Sequence, residues 1–581
     1  MAYVGYSFVA VNLKHILPFL NWLPGYSRST FLKDLPAGLT VGIMLIPQGM
    51  AYAMIAGLPV VYGLYAALVP QIVYAFTGTS RQLAVGPVAM DSLLVAAGLS
   101  AIAIAGSDRY IELAILLAAM MGGIQLLLGV FRMGFLVNFL SRPVISGFTS
   151  AAALIIGLNQ LPHLLGVTLP RSNQIQWLLW NAVQVLGEIH WATMAIGLGS
   201  MGLLWGASKL HPRIPGALIV VLASIAAVIL LDLGSAGVKI VGDIPTGLPA
   251  FSMPIFAWED IQTLLPMAAA LALIAFMEAI SVAKAIEERH DDYSVDASQE
   301  LRALGLSNII GALFQSYPTT GGFSRTAVND QAGAKTGMAA LIAAAIVAAT
   351  LLFLTPLFYD LPKAALAGII LMAVSGLVDL KTPVRLWKRQ RDEAWVLLAT
   401  FLVTAGIGIT VGIATGVGLS LLVTIRRSTR PHVAMLGRVA GIYRNIDRFP
   451  EAEAIEGVLA LRFDGPLHYA NASFFKRTIQ ESVKKSDRPI RAVVLLAESI
   501  PYIDASACVM LDQLIEELCG QGVVLHLAGP IGPVRDALKR HDLLHRFQPA
   551  ALHATIEDAM DALDGGPAHD NHHAIAEQSN S

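Results

Sequence analysis

Long apolar segments are the feature that most restricts what this chain can fold into. Windows of roughly 17 to 25 mostly apolar residues, enough to cross about 30 Å of hydrocarbon, recur as far as about residue 428. Of all residues, 55% are hydrophobic and only 14% are charged, whereas a soluble protein carries about 25% charged residues. We therefore expect a polytopic α-helical membrane protein with about fourteen spans, several of them short. These spans are predicted at residues 36–56, 60–76, 84–100, 111–131, 144–165, 192–209, 215–233, 263–286, 299–315, 323–335, 338–355, 362–378, 393–407 and 409–425.

The composition changes after Arg430, where charged residues return at an ordinary density. This change predicts an N-terminal cytoplasmic segment (1–33), a transmembrane domain (34–430), a soluble domain (431–565) and a disordered tail (566–581). The first 35 residues lack an apolar stretch followed by a small-residue cleavage site, so we expect no removable signal peptide and an N-terminus at Met1. The three tail histidines are expected to be solvated rather than metal ligands; they are His569, His572 and His573.

Lysine and arginine residues are distributed unequally between the two sides of the membrane that these spans imply. With the N-terminus inside, roughly twenty fall in cytoplasmic segments and about four fall outside. The positive-inside rule then places both termini in the cytoplasm and requires an even number of spans. Cytoplasmic positions include Lys33, Arg81, Arg132, Arg142, Lys209, Arg213, Lys381, Arg385, Lys388 and Arg426, and the outside positions are Arg109, Arg171, Lys239 and Lys363.

Two spans begin with sequences that cannot be helical throughout. The third opens with SRQLAVGP from Ser80, and the tenth opens with SYPTTGGFSR from Ser316. Proline lacks a backbone donor and glycine weakens a helix, so each is expected to be an extended stretch and then a half-helix that starts at mid-membrane, near Pro87 and Phe323. Paired interruptions of this kind point to a binding site between inverted repeats. The repeats would cover roughly 30–233 and 258–428.

The predicted orientation makes the two half-helices point their N-termini at each other at one depth. Unpaired N–H groups and the positive ends of the helix dipoles form a site that suits an anion. A cation site would need carbonyl ends or carboxylates instead. The alternative is that both segments are kinked packing helices, because glycine and proline are common in membrane spans.

Ionisable side chains at mid-membrane are costly and are therefore functional candidates. Glu278 lies near the middle of the eighth span, with Ser281 one turn away on the same face. Burial disfavours a charged carboxylate, so Glu278 could take up a proton near neutral pH. Arg325, in the first turn of the tenth half-helix, would add a fixed positive charge. The alternative is that the two side chains pair and neutralise each other.

Gln48 is a neutral polar residue midway along the first span. Its amide could donate hydrogen bonds to an oxyanion without adding charge, or it could form an interhelical hydrogen bond. Two glycine pairs spaced by four residues, Gly38 with Gly42 and Gly412 with Gly416, indicate close helix packing.

Several functional classes are disfavoured by the sequence. The net charge is −2 and no basic stripe with interleaved aromatic residues is present, so nucleic-acid binding is not expected. The two cysteines, Cys508 and Cys519, support neither a disulfide framework nor a zinc site. No P-loop, metal cluster or nucleophile with a nearby base is found, so we expect neither an enzyme nor a bound cofactor.

Three strings make the chain similar to a known family. PVVYGLYAALVPQIVYAFTGTSRQLAVGPVA runs from Pro59, DLPAGLTVG runs from Asp34, and SYPTTGGFSRTAVN runs from Ser316. Together they closely resemble the SulP family of sulfate permeases and related anion transporters. The resemblance implies two seven-span inverted repeats divided into a core and a gate domain, with an anion held between the half-helices and moved by an elevator-like motion.

Candidate site residues follow from the same resemblance. Glu278 would be the coupling carboxylate, because the stretch from Phe276 to Lys284 looks most like proton-coupled sulfate permeases. The substrate-binding residues would be Gln48, Val88, Gly322, Phe323, Ser324 and Arg325.

The soluble domain alternates strands and helices in a way that resembles a STAS domain, the sulfate-transporter and anti-sigma-factor-antagonist module. Its characteristic loop contains Asp504 and Ser506 at the start of a helix. Ser506 matches the phosphorylated serine of soluble antagonists, but both residues are also ordinary helix caps. The predicted strands are 458–463, 492–496 and 523–527, and the predicted helices are 472–484, 506–519 and 532–540.

The leading hypothesis is a secondary active transporter of the inner (plasma) membrane that imports sulfate with protons and forms a homodimer. A bicarbonate or C4-dicarboxylate symporter driven by sodium or protons is the alternative within the same class. A different class is an anion channel, exchanger or motor-like sensor that binds an anion without a complete transport cycle. The carboxylate of Glu278 favours the symporter, because a channel does not need a titrating group.

Overall fold

The computed structural model describes residues 17–135, 141–169, 172, 174–210, 216–290, 292–376, 378–486, 488–547 and 550–564. The predicted disordered tail with its three histidines lies outside the described residues, as do Arg171 and Arg213. By its internal contacts the chain divides into two compact units, Met1–Ser420 and Leu421–Ser581.

The first half of the membrane unit is helical apart from one short strand. A short helix, Phe19–Trp22, and a 3₁₀ turn, Leu23–Gly25, precede it, and a second 3₁₀ turn, Leu186–Glu188, follows α7. Its elements are α1 Arg28–Ala56, α2 Val60–Ala66, α3 Val69–Thr77, β1 Val85–Gly86, α4 Ala89–Leu99, α5 Asp108–Val130, α6 Arg142–Leu165, α7 Ile175–Gln184, α8 Trp191–Leu210 and α9 Gly216–Leu230.

The second half repeats this order of elements. After α13 the chain continues through a π turn, Thr350–Leu354, and a 3₁₀ turn, Thr355–Phe358. Its elements are α10 Trp258–Glu287, α11 Ala297–Leu313, β2 Thr320–Gly321, α12 Phe323–Gln331, α13 Met338–Ala349, α14 Lys363–Ser375, α15 Lys381–Arg389, α16 Arg391–Gly406 and α17 Ile409–Thr429.

Helix packing relates the halves as inverted repeats of seven membrane segments each within the described ranges. The first helix of each half packs against the fourth segment of the other: α1 against α13, and α10 against α5. The fifth segment of each half likewise packs against the sixth of the other: α6 against α16, and α14 against α8. The predicted seven-plus-seven architecture is therefore confirmed. By length and composition, seven described segments could each cross a membrane: 28–56, 60–77, 108–130, 142–165, 258–287, 338–358 and 411–429.

Small residues allow the backbones to approach closely where the halves meet. A Cβ atom on Gly38 would lie 2.6 Å from the Ala339 carbonyl oxygen, and one on Gly42 would lie 2.8 Å from Ile346 Cδ1. On α17, a Cβ atom on Gly416 would lie 2.6 Å from Val144 Cγ1 of α6. The predicted role of these glycines in close packing is confirmed, since association of helices in lipid depends on such contacts.

The structure differs from the predicted spans in a few places. The second span is two helices, because the chain bends at Leu68 just before Pro70, which has no N–H to continue a helix. The tenth span ends at Gln331 rather than at 335. The short helices α7 and α15 were not predicted, since ten and nine residues are too few for the span search.

The soluble unit contains a six-stranded sheet with helices on both faces. Strand order is β4-β3-β5-β6-β7-β8; β3 runs antiparallel to β4 and β5, and the remaining pairs are parallel. The N-terminal hairpin and the last strand and helix were not predicted from the sequence. The elements are β3 His432–Val439, β4 Ile442–Asn445, β5 Val458–Asp464, α18 Ala472–Lys485, β6 Ala492–Leu496, α19 Ala505–Cys519, β7 Val524–Ala528, α20 Gly532–Arg540, a 3₁₀ turn Leu544–Arg546, β8 Leu552–His553 and α21 Ile556–Asp564.

Candidate anion-binding site

The two interrupted spans meet as a short antiparallel ladder. Val85 pairs with Gly321, and Gly86 pairs with Thr320. Directly after these strands, α4 begins at Ala89 and α12 begins at Phe323. Both starts lie within two residues of the predicted positions, so continuous helices at these positions are excluded.

Both half-helices begin without a side-chain cap. The N-caps are Val88 for α4 and Gly322 for α12, and neither residue has a side-chain atom that could accept a hydrogen bond. The first helical hydrogen bonds are donated by Ser92 N to Val88 O and by Thr326 N to Gly322 O, both at 3.0 Å. The N–H groups of the first three residues in each helix therefore have no partner within the helix. Such groups, with the helix dipoles, attract an anion.

A cavity of about 790 Å³ opens at these two N-termini. Since a liquid water molecule occupies about 30 Å³, the cavity has room for an anion together with hydration water. Its wall brings together every membrane site residue that the sequence predicted: Gln48, Val88, Glu278, Ser281, Gly322, Phe323, Ser324 and Arg325.

Arg325 carries the positive charge of the site and is only 1% exposed. Its Nη1 donates a hydrogen bond of 2.8 Å to the carbonyl oxygen of Pro87. Its Nε and Nη2 have no partner among the described residues. Gly322 leaves space for the guanidinium, because a Cβ atom there would lie 2.7 Å from Nη2. The side chain therefore has donor capacity that its surroundings do not use.

Glu278 lies on α10 and contributes to the wall of the same cavity. Arg325 and Glu278 are near enough to attract each other electrostatically, but none of the ion pairs between described residues joins them. The direct pair that the sequence left open is therefore not formed. Ser281, one turn further along α10, is exposed to the cavity.

Gln48 and Phe323 also line the cavity. Gln48 is half-buried on α1, and its Oε1 has no hydrogen-bond partner among the described residues. Phe323, the first residue of α12, is 63% exposed although it is a large apolar side chain. An exposed aromatic ring at the mouth of a buried charged site can cover a bound ion and keep water from it.

Much of the apolar lining of the cavity comes from different helices. It is formed by side chains of α6, α8, α9 and α14, namely Ile145, Phe148, Leu204, Ala217, Ile369 and Met372. The charged groups that line the cavity therefore come from helices other than α6, α8, α9 and α14, whose one polar lining side chain among the described residues is Thr149.

Asp91 is a buried carboxylate that the sequence analysis missed. It is the third residue of α4 and is 0% exposed, and neither of its carboxylate oxygens has a partner in the described part of the chain. The signal was present, because an aspartate inside an apolar span is costly for the same reason as Glu278. Tyr52 on α1 lies in the cavity wall, and Tyr317, which precedes β2, is buried close to Arg325.

In the soluble unit, the predicted loop caps a helix through one residue only. Asp504 is the N-cap of α19: its Oδ1 accepts from Ala507 N and its Oδ2 accepts from Tyr469 N, both at 2.8 Å. The helix begins at Ala505, one residue before the predicted start, so Ser506 is not the cap. Ser506 is exposed in the first turn.

No group of three or more histidine, cysteine or acidic residues in the described ranges is arranged to hold a metal ion. Cys508 and Cys519 are both free thiols. Burial raises the pKa of Cys508, which makes this thiol less reactive.

Comparison with protein families gives two matches. Residues 31–400 match the model of the sulfate permease family, and residues 449–559 match the STAS domain. Among curated proteins, sulfate transporter 4.1 (chloroplastic) of Arabidopsis thaliana is 38% identical over 567 residues, which covers 94% of this chain and 82% of the relative. A probable sulfate transporter of Mycobacterium tuberculosis (strain CDC 1551 / Oshkosh) is 36% identical over 551 residues, covering 94% and 98%.

Two solved structures have the same fold. The structure of SLC26A9 matches with a TM-score of 0.88 at 25% identity, covering 98% of this chain and 94% of that chain. The transmembrane domain of a cyanobacterium bicarbonate transporter, BicA, matches with a TM-score of 0.60 at 23% identity, covering 68% and 99%. The second match bears on the fold alone.

Proposed function

The chain belongs to the sulfate permease family, a family of transporters rather than enzymes, and we propose that it is a secondary active transporter that imports sulfate together with protons. Anion transport follows from the family. The choice of sulfate is supported by relatives named as sulfate transporters. The choice of protons is supported by the carboxylate of Glu278 in the cavity wall.

The observation that carries the proposal is the pair of uncapped helix N-termini at one cavity, with Arg325 beside them. Six N–H groups without helical partners and one guanidinium with two unused nitrogens offer many donors and no competing cap. Sulfate accepts hydrogen bonds on all of its oxygens and carries two charges, so it suits such a set of donors. Gln48 and Ser324 add side-chain donors from the cavity wall.

Proton coupling rests on the position of Glu278. Its carboxylate faces the space in which the anion would lie, so its negative charge would repel sulfate at short range. Protonation removes that charge and thereby favours anion binding. The coupling is reciprocal, so bound sulfate favours protonation of Glu278 by the same factor.

An elevator-like motion is supported by how the site is built. The two half-helices are joined by the β1–β2 ladder and by hydrogen bonds from Ala84 N to Thr326 Oγ1 (3.0 Å) and from Asn329 Nδ2 to the Gln82 carbonyl oxygen (2.9 Å). The binding residues can therefore move as one body. The lining side chains of α6, α8, α9 and α14 are mostly apolar, and the hydroxyl of Thr149, the polar one among those described, donates within its own helix to the Ile145 carbonyl oxygen.

We place both termini in the cytoplasm and the protein in the inner (plasma) membrane as a homodimer. The sidedness is supported by the distribution of lysine and arginine residues, and the dimer is supported by family resemblance. Protease treatment of right-side-out vesicles should leave the STAS domain intact, and crosslinking should yield dimers. Cleavage of that domain from outside would overturn the orientation.

Uptake by the full-length protein in proteoliposomes tests the function. Labelled sulfate, bicarbonate and succinate are each offered under an inward proton gradient or an inward sodium gradient, with and without a protonophore. We expect sulfate to accumulate above its external concentration only under the proton gradient. Accumulation under sodium alone, or of bicarbonate or succinate in place of sulfate, would move the alternative symporters ahead. Flux that never exceeds equilibration would indicate a channel.

A further inference from the structure

Asp91 is a fully buried carboxylate with no role in the cycle described above. It occupies the third position of the half-helix α4, whose first residues, Ala89 and Met90, line the cavity. The Asp91 side chain itself is 0% exposed, and both of its oxygens are without a hydrogen-bond partner among the described residues. An ionised carboxylate in such a place costs several kcal/mol, whereas the neutral acid costs far less. Burial without a partner therefore favours the neutral acid at this position.

The charged and titratable groups around Asp91 come from several elements. Glu278 on α10 is near enough to repel it. Tyr317 lies beside Asp91, and its hydroxyl forms a hydrogen bond of 3.0 Å with Ser92 Oγ. Tyr317 is in turn close to Tyr52 on α1 and to Arg325 on α12.

The other helices that pack against α4 are α5, α6 and α14. Tyr110 on α5 donates its hydroxyl proton to the Ala56 carbonyl oxygen. In the described residues, the charged and histidine side chains of these three helices lie within five residues of a helix end: Asp108, Arg109, Glu112, Arg142, His163 and Lys363.

We propose that Asp91 is a second proton-binding carboxylate of the transport cycle, so that each sulfate is imported with two protons, one on Glu278 and one on Asp91. This inference rests on the proposed function, because it assumes a proton-coupled anion transporter. It differs from that function in assigning a residue and a ratio that the function does not require.

The charges of the site support a ratio of two. With both carboxylates ionised, Arg325 leaves the site with one net negative charge, which opposes a divalent anion. With both protonated, the site has one net positive charge and attracts it. Loading two protons and one sulfate returns the total to one net negative charge, the same as in the empty site. The loaded and empty forms then cross the membrane field with equal charge, so transport is electroneutral.

The half-helix gives Asp91 a direct influence on the anion. An ionised carboxylate in the first turn of α4 lies at the positive end of that helix and reduces the field that the anion would otherwise experience. Protonation of Asp91 removes this competition. Asp91 can therefore couple proton uptake to anion binding without touching the anion.

Measurement of coupling in proteoliposomes tests this inference. Full-length protein is reconstituted, the membrane potential is set with potassium and valinomycin, and proton and sulfate fluxes are recorded together. For the wild type we expect two protons per sulfate, no response to voltage, and accumulation that rises about 100-fold per unit of imposed pH gradient. For Asp91→Asn we expect one proton per sulfate, and accumulation that rises about 10-fold per unit of imposed pH gradient. Uptake should also be accelerated by an inside-positive potential, because a net negative charge now enters with each sulfate.

Two variants serve as controls. Asp108→Asn changes an exposed aspartate in the first turn of α5 and should keep the wild-type ratio. Asp91→Glu should restore a ratio of two. A wild-type ratio of one, or an Asp91→Asn protein that keeps a ratio of two, would overturn the inference while leaving proton-coupled import intact. Sulfate uptake without any proton flux would overturn the proposed function as well. A wild-type ratio of one overturns the inference even where Asp91→Asn does not fold, and Asp91→Glu then tests the residue through a shift in the pH dependence of uptake.

Discussion

Arg325 Nη1 donates a hydrogen bond of 2.8 Å to the carbonyl oxygen of Pro87, which joins the guanidinium of one half-helix to the backbone that leads into the other. The two residues are 238 positions apart in the sequence and belong to opposite repeats. This contact uses one of the three guanidinium nitrogens and leaves Nε and Nη2 without partners among the described residues. The positive charge is therefore held at the crossing of the repeats with donors to spare.

Replacement of this arginine tests its role in binding. Arg325→Ala should weaken sulfate binding about 10- to 100-fold, because a hydrogen bond to a charged group contributes about 1.5 to 3 kcal/mol. Arg325→Lys should lose less, since it keeps the charge but not the planar fork. Calorimetry on the purified protein gives the affinities. Arg289→Ala, which removes the exposed partner of an ion pair with Asp330, is the control and should bind within about twofold of the wild type.

Gly322 should matter because it leaves room for Arg325. In Gly322→Ala the new Cβ would lie 2.7 Å from Nη2 and 2.8 Å from Cζ, so the guanidinium has to move. We expect weaker sulfate binding, and no further loss when Arg325→Ala is added, because both changes act on one group. Gly123→Ala on α5, with open space around it, should be neutral. Additive losses in the double variant would show that Gly322 acts independently of Arg325.

The membrane fold was largely predictable because its signals are local. Apolar windows gave the spans, and the runs around Pro87 and Gly322 gave the two half-helix starts within two residues. Asp91 was missed although it lies only four residues after Pro87, because an acidic residue in the first turn of a helix is also an ordinary partner of the helix dipole. The absence of an ion pair between Glu278 and Arg325 was not predictable, because a residue pattern does not give a distance.

The soluble unit was predicted less completely for a different reason. Its central strands and helices alternate clearly, but the β3–β4 hairpin has an irregular burial pattern that does not alternate strictly. The short β8 consists of only two residues, and its partner strand β7 is not adjacent to it in the sequence. Such elements are fixed by tertiary contacts rather than by local propensity.

The cap of α19 gives a stability prediction. Asp504→Ala removes acceptors for Ala507 N and Tyr469 N and should destabilise the soluble unit by about 1 to 2 kcal/mol. Ser506→Ala, two residues away and exposed, should change stability by less than about 0.5 kcal/mol. Hydrogen exchange of α19 in the full-length protein measures both. A larger loss of stability in Ser506→Ala than in Asp504→Ala would show that Ser506, and not Asp504, stabilises the start of α19.

A histidine pair makes the soluble unit sensitive to acid. His526 Nδ1 and His553 Nε2 are 3.0 Å apart, and burial together with His553 lowers the pKa of His526 from 6.5 to about 4. The folded state therefore binds fewer protons than the unfolded state between these values, and its stability falls as the pH drops from about 6.5 to about 4. We expect a loss on the order of 2 kcal/mol after allowance for solvent screening.

Hydrogen exchange of β7 as a function of pH tests this dependence. In His526→Asn the loss of stability between about pH 6.5 and about pH 4 should be smaller, because the group that titrates differently in the folded and unfolded states is removed. His541→Asn changes an exposed histidine and should retain the wild-type profile. A flat wild-type profile would contradict the role of the pair.

Glu278→Gln is expected to separate coupling from binding. The amide keeps its hydrogen-bonding capacity but cannot take up a proton. Proton-driven accumulation of sulfate should therefore be lost if Glu278 is the sole coupling group, or fall to the one proton per sulfate that Asp91 carries, while binding remains within about tenfold of the wild type. Binding should also become less dependent on pH, since one proton no longer accompanies the anion. Uptake under an inward proton gradient and binding at two pH values measure these effects, and Lys284→Gln, two turns along α10, is the control that should stay coupled. Accumulation of sulfate by Glu278→Gln as steep as that of the wild type, under the same proton gradient, would exclude Glu278 as a coupling group.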